Sequence, residues 1–228
     1  MELHADLTQR AAMHANQQPW LASPVAGVER RVLHRLGEEV AQATTIVRYA
    51  PGSQFSAHTH TGGEEFLVLD GVFQDEHGDY PAGSYIRNPP ASRHTPGSAS
   101  GSTIFVKLWQ FDPQDRTQVR AHAQQVARMS ETGRPGVQIS PLHKDAREDV
   151  RLEHWEAGRR IELHLPEGGE FLLLKGSFRE GAEAFSPQSW LRLPRNSRLV
   201  ADVGTQGAKV WVKLGHLGHQ ASLKLPGA

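Results

Sequence analysis

The sequence predicts an all-β chain in two tandem copies of one sandwich- or barrel-like domain. Three observations predict it. Short β-rich runs end in turn residues, long helical patterns are scarce, and three sequence blocks recur in the same order.

The runs come first. Thr44–Tyr49 leads into Pro51-Gly52, and Phe66–Leu69 leads into Asp70-Gly71. Ser84–Arg87 stops at Asn88-Pro89-Pro90, and Thr103–Gln110 follows. Strands of four to eight residues with Gly and Pro between them argue a sandwich or a barrel. The repeat comes second. Phe105–Gln110 (FVKLWQ) returns as Trp211–His216 (WVKLGH), and Gly63–Gly71 returns, one residue shorter, as Gly169–Gly176. Asn88–His94 (NPPASRH) returns as Leu193–Leu199 (LPRNSRL). The offsets are 105 or 106 throughout, and chance similarity does not preserve order and spacing together. The chain is a tandem duplication.

Composition narrows the function classes. Across 228 residues, Lys plus Arg and Asp plus Glu are both 25, so no bulk charge draws in nucleic acid or an anionic membrane. No apolar run approaches a membrane span, and Met1–Arg10 is unlike a signal peptide, so a cytoplasmic protein is expected. Cysteine is absent, which removes disulfides, thiolate ligands and cysteine nucleophiles together. Histidine, at 13 residues, is the unusual feature, so transition-metal chemistry must rest on imidazole and carboxylate.

The first repeat places such groups together. His58 and His60 sit at i and i+2, so an extended strand projects both from one face. A turn at Thr61-Gly62-Gly63 brings the chain back to offer a carboxylate. Glu64 and Glu65 point to opposite faces, and the spacing to Gly71 favours Glu64, leaving Glu65 to solvent or to a supporting role. His94, beyond the rigid Pro89-Pro90 pair, is the fourth candidate. His77, in Asp75–Asp79, reads as a hairpin-turn residue, and the remaining histidines are scattered. Phe55, Phe66, Phe105 and Trp109 read as core or pocket wall, and Lys107 as a solvent-facing lysine of an edge strand, the alternative being an inward position beside the metal.

These blocks resemble the two motifs of the cupin superfamily. Val47–Gly52, His58–Glu65, Asp75–Tyr80, Arg87–His94 and Phe105–Gln110 together resemble the C-terminal cupin domain of the ChrR family. The resemblance runs from about Trp20 to Phe111 and, more weakly, from Val137 to Leu217. It implies two cupin (double-stranded β-helix, or jelly-roll) barrels. It also implies metal ligation by the residues matching His58, His60, Glu64 and His94. The expected layout is an arm at 1–20, a metal-binding domain at 21–115, a connector at 116–136 and a degenerate second domain at 137–228. In the second repeat His164 stands at the His58 position and Glu170 at that of Glu64, while Pro166 and Leu199 replace His60 and His94.

ChrR proteins are zinc-binding anti-sigma factors that respond to singlet oxygen and peroxide. Their sigma-gripping helical domain has no counterpart here, where the strand pattern begins by Thr44, so a sigma factor is not the expected partner. The expected cofactor is one divalent transition metal per chain, zinc first, then iron, manganese or nickel. A metal-binding bicupin with a regulatory or stress-sensing role is expected. The alternative is an Fe(II)-dependent dioxygenase acting on a small organic substrate such as a β-dicarbonyl. No catalytic residue is assigned. A small-molecule ligand and a homodimer are left open, and neither nucleic acid nor a membrane is expected.

Overall fold

In the computed structural model, which describes residues 2–38, 40–220, 223 and 225, strands make up most of the chain. Among the described residues the only α-helix is His216–Gln220, and Ala15–Gln17 forms a single 3-10 turn. None of their helices is long and apolar enough to cross a membrane.

The chain divides into two compact units. The first comprises Met1–Ala5, Gln18–Gln124 and Leu223–Ala228, and the second Asp6–Gln17 and Gln125–Ser222. In the second unit, Ala11–His14 runs antiparallel to Ser189–Leu193. Residues 116–136 carry strands as well. Val119–His122 pairs with Ser84–Asn88 in the first unit, and Met129–Ser130 pairs with Val137–Lys144 in the second.

The main sheet of the first unit is antiparallel, and Glu64–Asp75 lies near its centre. That strand is flanked by Ser84–Asn88 on one side and Ser102–Leu108 on the other, followed by Ala41–Tyr49 and Val28–Gly37. Phe66 and Val68 project from one face with Ile86, Ile104 and Val106 to make an apolar core, which Phe73 and Tyr80 extend. Hiding these rings and branched chains from water is the main force that closes the barrel. The 12-residue strand can bend because Gly71 takes φ +69, and a Cβ there would run into the Gly101 carbonyl. Its pairing with Ser102–Leu108 shifts register at Thr103/Ile104, a bulge of the kind that turns a sheet corner.

The second unit repeats this plan. Gly169–Glu180 lies between Ser189–Leu193 and the 18-residue strand Ser197–Leu214, with Asp149–Trp155 and Val137–Lys144 beyond. Its apolar core is built on Trp155, Phe171, Phe178, Leu191, Leu199 and Val212. Gly176, at φ +78, bends the long strand as Gly71 does in the first.

Two expectations for the first unit change here. Lys107 is 0% exposed and sits in an interior strand, where Nζ donates to Thr44 Oγ1 at 2.9 Å. Glu65 is 1% exposed and accepts a 2.7 Å bond from the Tyr85 hydroxyl. The sheet is buried on both faces along this stretch, so one-sided alternation does not apply.

Candidate metal centre

The three histidines lie on a two-stranded ribbon, His58–His60 against Ser92–His94, outside the main sheet. In its antiparallel register His58 faces His94 and His60 faces Ser92. Cross-strand neighbours and i, i+2 neighbours share a face, so three imidazoles converge. The Ala91 N–H, in a left-handed turn at φ +70, donates to the His60 carbonyl at 2.9 Å and holds the ribbon in register. The turn back to Glu64 depends on small residues. A Cβ on Gly62 would collide with the Trp109 indole, and one on Gly63, at φ +77, would lie 2.6 Å from the Phe111 ring.

One ring nitrogen from each of His58, His60 and His94 lies within 4.8 Å of the others. His60 Nε2 and His94 Nε2 are 2.8 Å apart. Two nitrogen lone pairs that close repel unless a proton or a cation lies between them. An ion with metal–nitrogen bonds of ~2.0–2.1 Å would be held here after small ring shifts. Glu64 Oε2 is 3.4 Å from His60 Nε2 and 3.6 Å from His94 Nε2, and it accepts from Asn88 Nδ2 at 3.3 Å. The three histidines thus converge, with the Glu64 carboxylate beside His60 and His94.

Tautomers follow from the partners. The Ser56 carbonyl can only accept, so His58 Nδ1–H donates to it at 3.1 Å and Nε2 keeps its lone pair. His94 Nδ1–H points at Asp75 Oδ2, 3.4 Å away. Asp75 is itself held by the Tyr80 hydroxyl at 3.1 Å and the His77 N–H at 2.8 Å. Carboxylate–imidazole pairs of this kind orient metal ligands and raise their basicity. His77 is a turn residue whose backbone supports Asp75. Burial works against a charge on His94, yet the Asp75 hydrogen bond and the Glu64 and Glu76 carboxylates leave its pKa raised. His60 goes the other way. Burial lowers its pKa and so do the neighbouring imidazoles, with Glu64 opposing them.

A cavity of about 380 Å³ opens beside the ribbon. Val47, Phe55, Phe73, Val106 and Trp109 supply apolar wall, and His58, His60, Glu64 and His94 line it too. Tyr49 also faces it, its hydroxyl pKa raised by burial and by the Glu64 carboxylate. Sequence reasoning did not find Asp75 or Tyr49. Asp75 looked like part of a turn, and neither falls in the histidine motif.

In the second unit Arg160–Leu165 pairs with the start of Ser197–Leu214, and this register corrects the sequence alignment. Ser197 pairs with Leu165 as Ser92 pairs with His60, and the Gly168 N–H reaches the Leu165 carbonyl as that of Gly63 reaches His60. His58, His60 and His94 therefore correspond to Leu163, Leu165 and Leu199. Gly169, paired with Leu193 and Leu214, takes the place of Glu64, which pairs with Asn88 and Leu108. Leu165 and Leu199 belong to the apolar core, and Leu163 packs on it. His164 is exposed and faces away, since a one-residue slip along a strand reverses a side chain. Glu170 is the counterpart of Glu65. It accepts from the Trp190 indole at 3.1 Å as Glu65 accepts from Tyr85.

Comparison with known proteins agrees with this architecture. Residues 8–112 match the ChrR cupin-like domain. The chain has a cupin-type fold. Its first repeat resembles the C-terminal domain of ChrR, and a comparison with curated proteins finds no match. Solved structures share the fold at low identity. A Nostoc punctiforme protein provisionally described as a dioxygenase aligns at 16% identity and TM-score 0.76, over 97% of this chain and 87% of that chain. The Escherichia coli pirin YhhW, in complex with nickel(II), aligns at 13% and 0.65, over 90% and 98%. Bacillus subtilis oxalate decarboxylase, which has Mn(II) centres, aligns at 11% and 0.62, over 90% and 77%.

Proposed function

We propose that this protein is a mononuclear metalloprotein whose first barrel carries out metal-dependent oxidation of a small organic molecule. The observation that carries the reading is the shared wall. The three imidazoles open onto a cavity of about 380 Å³ that is otherwise largely apolar. A purely structural metal needs no such space beside it.

His58, His60, Glu64 and His94 would hold the ion. Three imidazoles and a carboxylate suit iron, manganese, nickel or zinc, and with iron the site would supply dioxygen chemistry. Asp75 keeps the His94 proton on Nδ1 and so leaves Nε2 free. Tyr49, kept neutral by its surroundings, can donate a hydrogen bond to an oxygen of the substrate. The apolar walls exclude bulk water from the reacting end of the molecule. A small β-dicarbonyl fits the size and polarity of this space.

The test is oxygen consumption by iron-loaded protein given pentane-2,4-dione and related diketones, with His94→Ala as control. Uptake that depends on His94 supports the reading. Failure of every diketone with a fully iron-loaded site would count against it.

A second reading rests on the match of residues 8–112 to the ChrR cupin-like domain. It makes the barrel a zinc-holding sensor of oxidative stress, working without a sigma factor. Release of one equivalent of zinc on peroxide treatment, with no turnover of any substrate, would favour it over the oxygenase.

A further inference from the structure

One register row across the second unit differs in charge from its counterpart in the first. In the first unit Glu29, Arg48, Thr103 and Asp70 lie opposite one another on four adjacent strands. The row carries two acids and one base, and Arg48 pairs with Glu29 at 2.5 Å. In the second unit the row reads Gln138, His154, Lys209 and Lys175. Both acids have gone, and a lysine stands where each of Thr103 and Asp70 stood.

Like charges directly opposite on neighbouring strands destabilise a sheet. Lys209 is only partly exposed, so water does not fully relieve it, and Arg128 adds a further positive charge within reach of both Lys209 and His154. Among the described residues no carboxylate pairs with Arg128, His154, Lys175 or Lys209. His154 reports the field. Burial, then Arg128 and Lys209, push its pKa down to about 4. Burial and the charges of Lys175 and Arg128 likewise lower that of Lys209. A cluster built this way gains stability once an anion occupies it.

We propose that Lys209, Lys175 and His154, with Arg128 at the edge, form a binding site for a small molecule bearing a diphosphate group. Strands about 4.8 Å apart set the outer members of the three-residue row about 10 Å apart, longer than one tetrahedral oxyanion covers. A monoanion would leave most of the charge unbalanced. A diphosphate matches both the length and the charge. The site lies in the unit that has lost the metal ligands and does not depend on the oxygenase reading.

The test is thermal unfolding of the full chain with pyrophosphate and with ADP, alongside isothermal titration. Pyrophosphate should raise Tm, and the increment should shrink as ionic strength rises. Lys209→Gln should raise Tm without any anion, because repulsion is relieved, and should weaken pyrophosphate binding by about tenfold or more. Exposed Lys175→Gln should weaken it similarly while keeping the fold, with a smaller rise in Tm from the same relief. In NMR titrations the His154 imidazole pKa should climb when pyrophosphate is bound. Equal affinity for ADP and pyrophosphate would place recognition in the diphosphate alone, and tighter ADP binding would extend the site to a nucleoside. No stabilisation by either compound, or stabilisation that survives Lys175→Gln and Lys209→Gln, would overturn the proposal.

Discussion

Among single residues, His94 is the most informative. It is 3% exposed, its Nε2 faces His60 and Glu64, and its Nδ1 is directed by Asp75. If these groups hold the ion, His60→Ala combined with His94→Ala should reduce bound metal to near zero by elemental analysis. Retention of a full equivalent would place the metal elsewhere. Asp75→Asn keeps the shape but removes the charge that orients His94, and should weaken metal affinity by about 10–100-fold in chelator competition. Its pH dependence has a definite sign. Metal must displace a proton from His94, whose pKa is raised, so affinity falls as pH drops through that raised value. Without the Asp75 charge the fall should move to lower pH. At this scale the four candidates were legible in the sequence, because strand periodicity and glycine spacing are local. Asp75 and Tyr49 were not, because each reaches the site through a contact between strands distant in sequence. Lys107 and Glu65 misled for a related reason, since nothing local says that a sheet is buried on both faces.

Elements determine which of two adjacent residues points inward. Gly71 and Gly176 bend the two long strands, and at each a side chain would meet the carbonyl of a facing glycine, Gly101 or Gly207. Gly71→Ala should therefore destabilise the protein by about 2 kcal/mol or more in denaturant unfolding. A change below ~0.5 kcal/mol would show that the bulge relaxes freely. The positively charged row makes a pH prediction. His154 titrates at about 4 in the fold against an ordinary value near 6.5, so the unfolded chain binds the extra proton between those limits. Stability should rise with pH through that window and be complete above it. The ring is partly exposed, and screening reduces the effect to about 1 kcal/mol. Denaturant unfolding at pH 4.5 and pH 7 should show the difference shrinking in His154→Gln. The repeat blocks were legible, but the pairing of Ser197 with Leu165 was not. A shift of one residue between the motif blocks of the two repeats is invisible until strands pair, and it moved Glu170 from ligand remnant to buried partner of Trp190.

For the whole molecule the duplication sets the expected stoichiometry. The first unit gathers three imidazoles on a ribbon, and the second fills the same positions with Leu163, Leu165 and Leu199. Purified protein should hold one equivalent of metal per chain, unchanged by His164→Ala with Glu170→Gln. Two equivalents would require a site that the apolar core of the second unit does not provide.

The all-β class, the tandem repeat and the histidine-rich motif of the first copy were all present in the linear order of residues. They rest on short-range rules: strand period, turn chemistry and spacing. Only the tertiary structure decided which carboxylate orients His94 from behind, and that the second barrel fills the matching positions with leucine. Those outcomes depend on inter-strand register and on burial from both faces of a sheet. Both are properties of pairing between distant segments, and no window of sequence contains them.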